Sequence, residues 1–265
     1  MAKYDYIIVG AGAAGLMMAY RMVKDSFFAD KTILILDKEK KTQNDRTWCF
    51  WEKNNGEWDD ILNHSWNKIH VASNYFSLNE NISPYKYKMI RSEDFYHKIW
   101  KSLENKSNIT FLEEPVSEIL QEEKLAKVIT TKNTYFSKNI INSILFSDAY
   151  KKQTKYPVLQ QHFVGFFVKT KENIFDDSTA TFMDFSVEQK ENTRFMYVLP
   201  YKKNEALFEY TLFSKDLLPY DEYKAAIEKY LQEKEITDYE IVEKEQGSIP
   251  VSYTHLRAHE TKANL

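Results

Sequence analysis

The chain has 265 residues, a formal net charge of −3 and 15% aromatic residues. This length suffices for one large domain or two interleaved ones, and the charge gives no electrostatic reason to expect a nucleic-acid partner. Its single cysteine, Cys49, excludes an intrachain disulfide and favours a reducing compartment. No apolar stretch is long enough to span a membrane as a helix, so we expect a soluble or peripheral protein.

The sequence begins with a predicted strand, tight turn and helix, KYDYIIVGAGAAGLMMAYRM at residues 3–22. Gly10 allows the tight turn, Gly12 lets a pyrophosphate approach the backbone, and Gly15 lets the helix lie against the strand. A second buried strand, TILILD, ends at Asp37, where a carboxylate can bind a ribose 2′-hydroxyl. Together these features predict a dinucleotide site.

The same stretch has two competing interpretations. One is the apolar core of a secretory signal with Lys3 as its positive flank, and the other is a membrane-spanning helix, for which the run is too short. Asp5, the glycine spacing and the immediate second strand argue against the secretory signal. We therefore keep the dinucleotide interpretation.

The next cluster, DRTWCFW, places Asp45, Arg46 and Trp48 together after the second strand. Without further information, a capped loop whose aromatic residues fill the core is the simpler interpretation. A strand then leads into a helix whose predicted N-cap is Ser92. Arg91, just before that helix, is placed either to reach a cofactor phosphate or to remain a surface arginine.

Short strands are predicted through residues 109–146, and four aromatic-rich strand segments follow before residue 214. A helix is predicted over residues 215–235. Two carboxylates lie in apolar company in these strands, Asp184 in TFMDFS and Glu209 in LFEYTLF. Glu209, flanked by Leu207, Phe208 and Tyr210, either points to solvent from a two-faced strand or is desolvated with a raised pKa and able to donate a proton.

His255 and His259 have the spacing of two metal ligands on one helical turn. We predict no metal site, because the tail VSYTHLRAHETKANL at residues 251–265 differs in character from the preceding chain and resembles a translated sequencing adapter. We expect these residues to be an artefact.

Several motifs together resemble one family. They are GAGAAGL, DRTWCFW, LQQHFVGFFV, FMDF, RFMYVLPY followed by ALFEYTLFS, and GSIP at residues 247–250. In this combination the chain is similar to the bacterial lycopene β-cyclases of carotenoid synthesis. GxGxxG alone occurs in many flavoproteins, whereas DRTW, FMDF and the FEYT arrangement are far more particular.

The resemblance implies an α/β fold, with a Rossmann-type FAD-binding domain like that of glutathione reductase and an interleaved, mostly β substrate domain. We place the FAD-binding domain at residues 1–150, with insertions that contribute to the substrate domain at residues 151–250. The implied reaction folds the linear ends of lycopene, or a related linear carotene, into β-ionone rings without net redox change. It needs reduced FAD, with NADPH as the reductant, and takes place at the inner face of the cytoplasmic membrane.

The resemblance also assigns residues. The family's essential acid falls on Glu209, and FMDF adds Asp184 as a second catalytic candidate. Gly10, Gly12, Gly15, Asp37, Arg46 and Arg91 are assigned to the cofactor, and Asp45 and Trp48 to the substrate pocket. A carboxylic acid kept protonated by an apolar pocket can protonate an alkene and take a proton back.

The chain also departs from the family pattern. None of its six glycines is followed by aspartate, so the second flavin motif near the carboxyl end is missing. We therefore expect a truncated chain. The alternatives are a redox flavoprotein on the same scaffold, such as a monooxygenase or prenyl reductase, and an inactive fragment.

Overall fold

A computed structural model describes residues 2–122, 125–144, 146 and 158–251. The chain forms two compact units, and it passes between them more than once. The first unit comprises residues 1–45 and 91–148, and the second comprises residues 46–90 and 149–265. Residues 46–90 are thus an insertion in the first unit that joins the second.

The helices and strands follow one another along the chain as β1 (Ala2–Val9), α1 (Ala13–Lys24), β2 (Ile33–Asp37), β3 (Thr47–Lys53), β4 (His64–Trp66), β5 (Lys68–Ala72), β6 (Ser77–Asn81), β7 (Tyr85–Arg91), α2 (Ser92–Leu103), β8 (Ile109–Glu113), β9 (Val116–Gln121), β10 (Ala126–Thr130), β11 (Thr134–Asn142), β12 (Leu159–Thr170), β13 (Thr179–Asp184), β14 (Arg194–Lys202), β15 (Glu205–Ser214), α3 (Tyr220–Glu233) and β16 (Tyr239–Val251).

The first unit is built on a six-stranded sheet in the order β8-β2-β1-β11-β10-β9. Strand β1 lies between β2 and β11 and is parallel to both, whereas β9, β10 and β11 form an antiparallel meander. Residues 7–9 and 33–36 are fully buried, as expected for central parallel strands made of continuous apolar runs. The strand, helix and strand predicted at the amino end are confirmed.

The second unit is built on a seven-stranded sheet in the order β16-β12-β15-β14-β13-β5-β6. Helix α3 packs on one face through a core that includes Phe208 and Tyr210. The smaller sheet β3-β7-β4 contributes Trp66 to a core that includes Leu207. The Trp66 indole N–H donates to the Pro200 carbonyl at 2.8 Å. Because side chains alternate along a strand, neighbouring residues of β15 serve different cores.

Two predicted helix starts need correction. Helix α3 begins at Tyr220 rather than near residue 215, with Pro219 at its N-cap, because proline's fixed φ favours a position at or before the first turn. Ser92 is the first residue of α2 and Arg91 is its N-cap. Within the described part of the chain, every helix is too short or too polar to cross a membrane.

Candidate functional site

The glycine turn of the first unit has little room for side chains at two of its three positions. Gly10 has φ +98°, and a Cβ there would lie 2.2 Å from the Ser143 Oγ. A Cβ on Gly15 would lie 1.8 Å from the Gly10 carbonyl oxygen, so α1 can approach the strand only because residue 15 is glycine. At Gly12 an added Cβ would meet no atom of the described residues within 4 Å. The space beside Gly12 is therefore open to a ligand.

Asp37 lies at the end of β2 and holds the same turn. Its Oδ2 accepts a hydrogen bond from the Ala11 backbone N–H at 2.5 Å. Helix α1 begins beyond Gly12 with no side-chain cap and no acidic residue in its first turn, so its amino end favours an anion. A cavity of about 370 Å³ borders this turn and is lined by Gly10, Gly12, Ala13, Ala14, Leu36, Asp37, Lys38, Lys41, Pro115, Val116, Ser143 and Ile144. The open Gly12 position, the helix end and the carboxylate suit a dinucleotide pyrophosphate and its ribose.

The DRTW cluster is divided between the two units. The Asp45 carboxylate pairs with Lys41 at 3.0 Å and accepts a hydrogen bond from the Tyr96 hydroxyl at 3.0 Å. Its backbone N–H donates to the Ser92 Oγ at 2.8 Å. Although desolvation opposes it, hydrogen bonds from Lys41 and Tyr96 hold the pKa of Asp45 below its usual range. These contacts lie within the first unit and lend no support to a place in the substrate pocket.

The other predicted residues of this region occupy positions on or beside strands. Trp48 lies on β3 in the second unit, on the face opposite Cys49. Arg46 precedes that strand and is exposed. Arg91 ends β7, at the amino end of α2. Their assignments to cofactor or substrate remain predictions.

Glu209 lies in a row of residues that crosses four adjacent strands of the large sheet. Gly165 on β12 is paired with Glu209 on β15 and with Glu245 on β16. Tyr197 on β14 is paired with Glu209 from the other side. Residues directly opposite in a sheet point to the same face, so the two carboxylates and the tyrosine share one face.

The Glu209 carboxyl group is held by two neighbours. Its Oε1 accepts a hydrogen bond from the Thr211 hydroxyl at 2.8 Å, and a further hydrogen bond joins it to Glu245. Part of the residue keeps accessible surface, but its carboxyl group lies deep among protein atoms. This desolvation, with the negative charge of Glu245, raises the pKa of Glu209 to about 8 from its ordinary 4.5. Glu209 is therefore largely protonated at neutral pH.

Aromatic rings line the same side of the large sheet. The Tyr87 ring lies 5.4 Å from Phe182 and 5.0 Å from Trp51, and Phe182 lies 5.8 Å from Tyr197. Burial, with nearby Cys49, raises the pKa of Tyr87, and burial, with the charge of Glu209, raises that of Tyr197. Both phenols therefore stay neutral, and they contribute π-systems to the face that carries Glu209.

Asp184 lies on the opposite face, which α3 covers. It is paired with Met196, a residue of the helix-side core. Its carboxylate is 1% exposed and accepts hydrogen bonds from the Tyr230 hydroxyl at 2.7 Å and the Ser186 N–H at 2.9 Å. Burial alone would raise the pKa of Asp184, but these bonds and the Lys234 charge hold it below its usual range. The geometry therefore does not support a catalytic role beside Glu209, and Asp184 instead anchors α3 to the sheet.

We expect Tyr230→Phe to lower the free energy of unfolding by about 1–3 kcal/mol, because it removes a hydrogen bond to a buried carboxylate. Tyr220→Phe is the matched control. Its ring lies on the same helix and is 40% exposed, so we expect a change within about 0.5 kcal/mol. Chemical denaturation of the two variants measures both values, and equal effects would contradict the anchoring role of Asp184.

Sequence reasoning missed five members of the Glu209 site: Glu245, Gly165, Thr47, Thr211 and Tyr197. Thr47 belongs to DRTW, and its hydroxyl donates to the Glu245 Oε2 at 2.8 Å. One signal was available, since a glycine inside the aromatic strand HFVGFFV marks a close approach of neighbouring chains. The partner strand carrying Glu245 could not be identified without the register. His255, His259 and the tail beyond Val251 lie outside the described residues.

The solved structures that this chain resembles include flavin-dependent enzymes. A geranylgeranyl bacteriochlorophyll reductase-like protein from Thermoplasma acidophilum matches with a TM-score of 0.66 and 11% identity, over 94% of this chain and 66% of that one. The flavin-dependent brominase Bmp2 matches with a TM-score of 0.63 and 12% identity, over 95% of this chain and 68% of that one. The p-nitrophenol 4-monooxygenase PnpA from Pseudomonas putida DLL-E4 matches with a TM-score of 0.64 and 12% identity, over 96% of this chain and 70% of that one.

These likenesses confirm the predicted fold class, a Rossmann-type α/β unit with an interleaved β-rich unit. The chain spans only about two thirds of the length of the reductase-like structure. A comparison with curated proteins finds no match.

The sequence also matches the model of a protein family, described as lycopene cyclase protein, over residues 5–263. The matched range contains the glycine turn, DRTW, both carboxylates of the Glu209 row and most of the stretch set apart as a tail. The chain therefore belongs to the lycopene cyclase family.

Proposed function

We propose that this chain supplies the nucleotide turn and the acid of an FAD-dependent lycopene cyclase. In this proposal Glu209 protonates a terminal double bond of lycopene or a related linear carotene. The observation that carries the proposal is Glu209 itself, a carboxyl group with a pKa raised to about 8 on a face lined by aromatic rings.

Cyclisation requires a proton on an isolated alkene and protection of the resulting tertiary carbocation from water. Glu209 gives its proton to one alkene carbon, the second double bond attacks the cationic centre, and the new ring loses a proton from a different carbon to the Glu209 carboxylate. Atoms and electrons balance, and the product is an isomer of the substrate. The rings of Trp51, Tyr87 and Phe182 would offer π-faces to the cation, and the buried Tyr87 ring would help to keep water away from it.

The turn at Gly10, Gly12 and Gly15 would hold the FAD pyrophosphate, and Asp37 the ribose. Reduced flavin, when bound, would supply electron density to a cationic transition state, with NADPH as its reductant. We further propose that the substrate is taken from the membrane surface on the cytoplasmic side, because a linear carotene dissolves in lipid rather than in water.

Incubation of the chain with lycopene-loaded vesicles, FAD and NADPH tests the proposal, with carotene products separated by chromatography. We expect cyclised product that has the mass of the substrate. A product that gains oxygen or hydrogen, with stoichiometric consumption of NADPH, would assign the chain to the alternative class of redox flavoproteins. Unchanged lycopene in the presence of bound, reduced flavin would reject the proposal for this chain.

The raised pKa also predicts a pH dependence of stability. Folded Glu209 binds a proton that the unfolded chain releases at its ordinary pKa of 4.5, so the free energy of unfolding falls as pH rises from 4.5 towards about 8 and levels off above it. Glu209→Gln removes this fall. We expect the variant to gain stability relative to the parent through that window, as measured by denaturant unfolding at about pH 5, 7 and 9. A difference that is constant across these values would contradict the raised pKa.

A further inference from the structure

We propose that Glu245 is the positioning partner of Glu209, and that the two carboxyl groups share one proton across Gly165. This inference rests on the proposed function, since it explains how the assigned acid, Glu209, is kept protonated. It concerns a residue of β16 whose role neither the family match nor the fold likeness assigns.

The strand register brings the two side chains together. Gly165 has Glu209 on one side and Glu245 on the other, each directly opposite in its antiparallel pair. The two glutamates are therefore second neighbours on one face, normally too far apart for carboxyl groups to meet unless the intervening position is empty. Their hydrogen bond shows that these carboxyl groups do meet.

Gly165 is the reason that they can meet. A Cβ on this residue would lie 3.2 Å from the Glu245 Cγ, 3.6 Å from the Glu209 Cβ and 2.9 Å from the Leu207 Cδ1. Any side chain at Gly165 would thus occupy the space through which the glutamates approach. The glycine is not required by a left-handed backbone, so its value here lies in the space that it leaves.

Each carboxyl group also accepts a hydrogen bond from a threonine, and the two threonines lie on different strands. Thr211 donates to Glu209 and Thr47 donates to Glu245, both at 2.8 Å. Two carboxylates held at hydrogen-bond distance cannot both be ionised cheaply, because adjacent like charges repel strongly in a desolvated site. The pair therefore retains one proton, and the two threonines fix the orientation of the oxygens that carry it.

Further titratable groups of the described residues share the surroundings of Glu209. Tyr197 on β14, Tyr87 on β7 and Cys49 on β3 contribute to the same electrostatic environment and are neutral in their ordinary states. Within the part of the chain that the structure describes, Glu245 is the charged group that raises the pKa of Glu209. A substitution that removes the charge of Glu245 should therefore lower the pKa of Glu209.

The shared proton serves both halves of the reaction. Before turnover, Glu245 keeps the proton on the pair at neutral pH, where an isolated glutamate would have lost it. After transfer to the alkene, the pair carries two adjacent negative charges and strongly favours regaining a proton from the cyclised cation. One proton leaves and one returns, so the pair ends each cycle as it began.

The test reads the protonated carboxyl group directly, by infrared difference spectroscopy of its C=O stretch during a pH titration of the full chain. We expect a band that persists to about pH 8 and is absent from Glu209→Gln. In Glu245→Gln it should disappear at a pH lower by about one unit, a tenfold loss of proton affinity. Glu240→Gln is the matched control, because Glu240 is an exposed glutamate on the same strand, and it should titrate like the parent.

Gly165→Ala provides a second approach that leaves both carboxyl groups present. We expect its band to titrate at lower pH as well, because the methyl group separates the pair. A Glu245→Gln or Gly165→Ala band that titrates like the parent's would overturn the shared proton. This readout does not depend on turnover. If the bands of these variants are shifted but the chain leaves lycopene unchanged, the shared proton is supported and the cyclase function is rejected. If the chain cyclises lycopene but the bands are not shifted, the cyclase function is supported and the shared proton is rejected.

Discussion

Glu209→Gln is expected to reduce cyclisation by about 10²–10⁴-fold while flavin content stays at the parental level. The amide fills the same space and keeps a hydrogen bond with Thr211, but it cannot donate a proton to carbon. The turn assigned to the flavin lies in the other unit, so its binding should not change. Product formation from lycopene, normalised to bound flavin, measures the effect.

The matched control is Glu205→Gln. Glu205 lies on the same strand and pairs with Lys202 at 2.8 Å rather than with Glu245. We expect its rate to remain within about twofold of the parental rate. Full cyclisation by Glu209→Gln would remove Glu209 from the mechanism, and a comparable loss in both variants would point to a general effect of charge on the strand.

The second large effect is expected at the glycine turn, where Gly12→Ala and Gly15→Ala should fail in different ways. Gly12 has φ −78° and ψ −171°, a conformation that alanine adopts, and an added Cβ would lie more than 4 Å from every atom of the described residues. We expect the free energy of unfolding of the unliganded Gly12→Ala chain to stay the same or to rise by about 0.4–1 kcal/mol. Flavin affinity should fall roughly tenfold or more, because the methyl group occupies the path of the pyrophosphate.

Gly15→Ala is expected to damage the fold itself. Its Cβ would lie 1.8 Å from a backbone oxygen, which no side-chain rotation can relieve. A loss of about 1–3 kcal/mol or more follows from such overpacking. Unfolding without flavin and titration with FAD separate the two variants. A stable Gly15→Ala, or a Gly12→Ala that binds FAD like the parent, would contradict the assignment.

The extent to which this site could be predicted depends on whether its contacts are local. Gly10, Gly12 and Gly15 lie within six residues, and their roles depend on one turn whose geometry is a property of the local sequence. The following strand ends at Asp37, and its carboxylate reaches the turn because β1 and β2 are adjacent. Such short-range relations can be predicted from the sequence.

The carboxylates of the second unit depend on register, which the sequence did not reveal. Asp184 and Glu209 have similar apolar neighbours in the sequence, yet the pleat places them on opposite faces of one sheet. The result is opposite shifts of the pKa, lowered for Asp184 and raised for Glu209. Glu245 was overlooked for the same reason, because its proximity to Glu209 depends on two strand pairings made through Gly165.

Cyclisation in deuterated water tests the central claim most directly, with the product analysed by mass spectrometry. If Glu209 protonates an alkene carbon and then removes a proton from another, each new ring retains one solvent-derived deuterium and the product is otherwise an isomer of lycopene. Glu209→Gln should yield no labelled ring. Cyclised product without deuterium, or product that carries added oxygen or two added hydrogens, would contradict acid-catalysed, non-redox cyclisation.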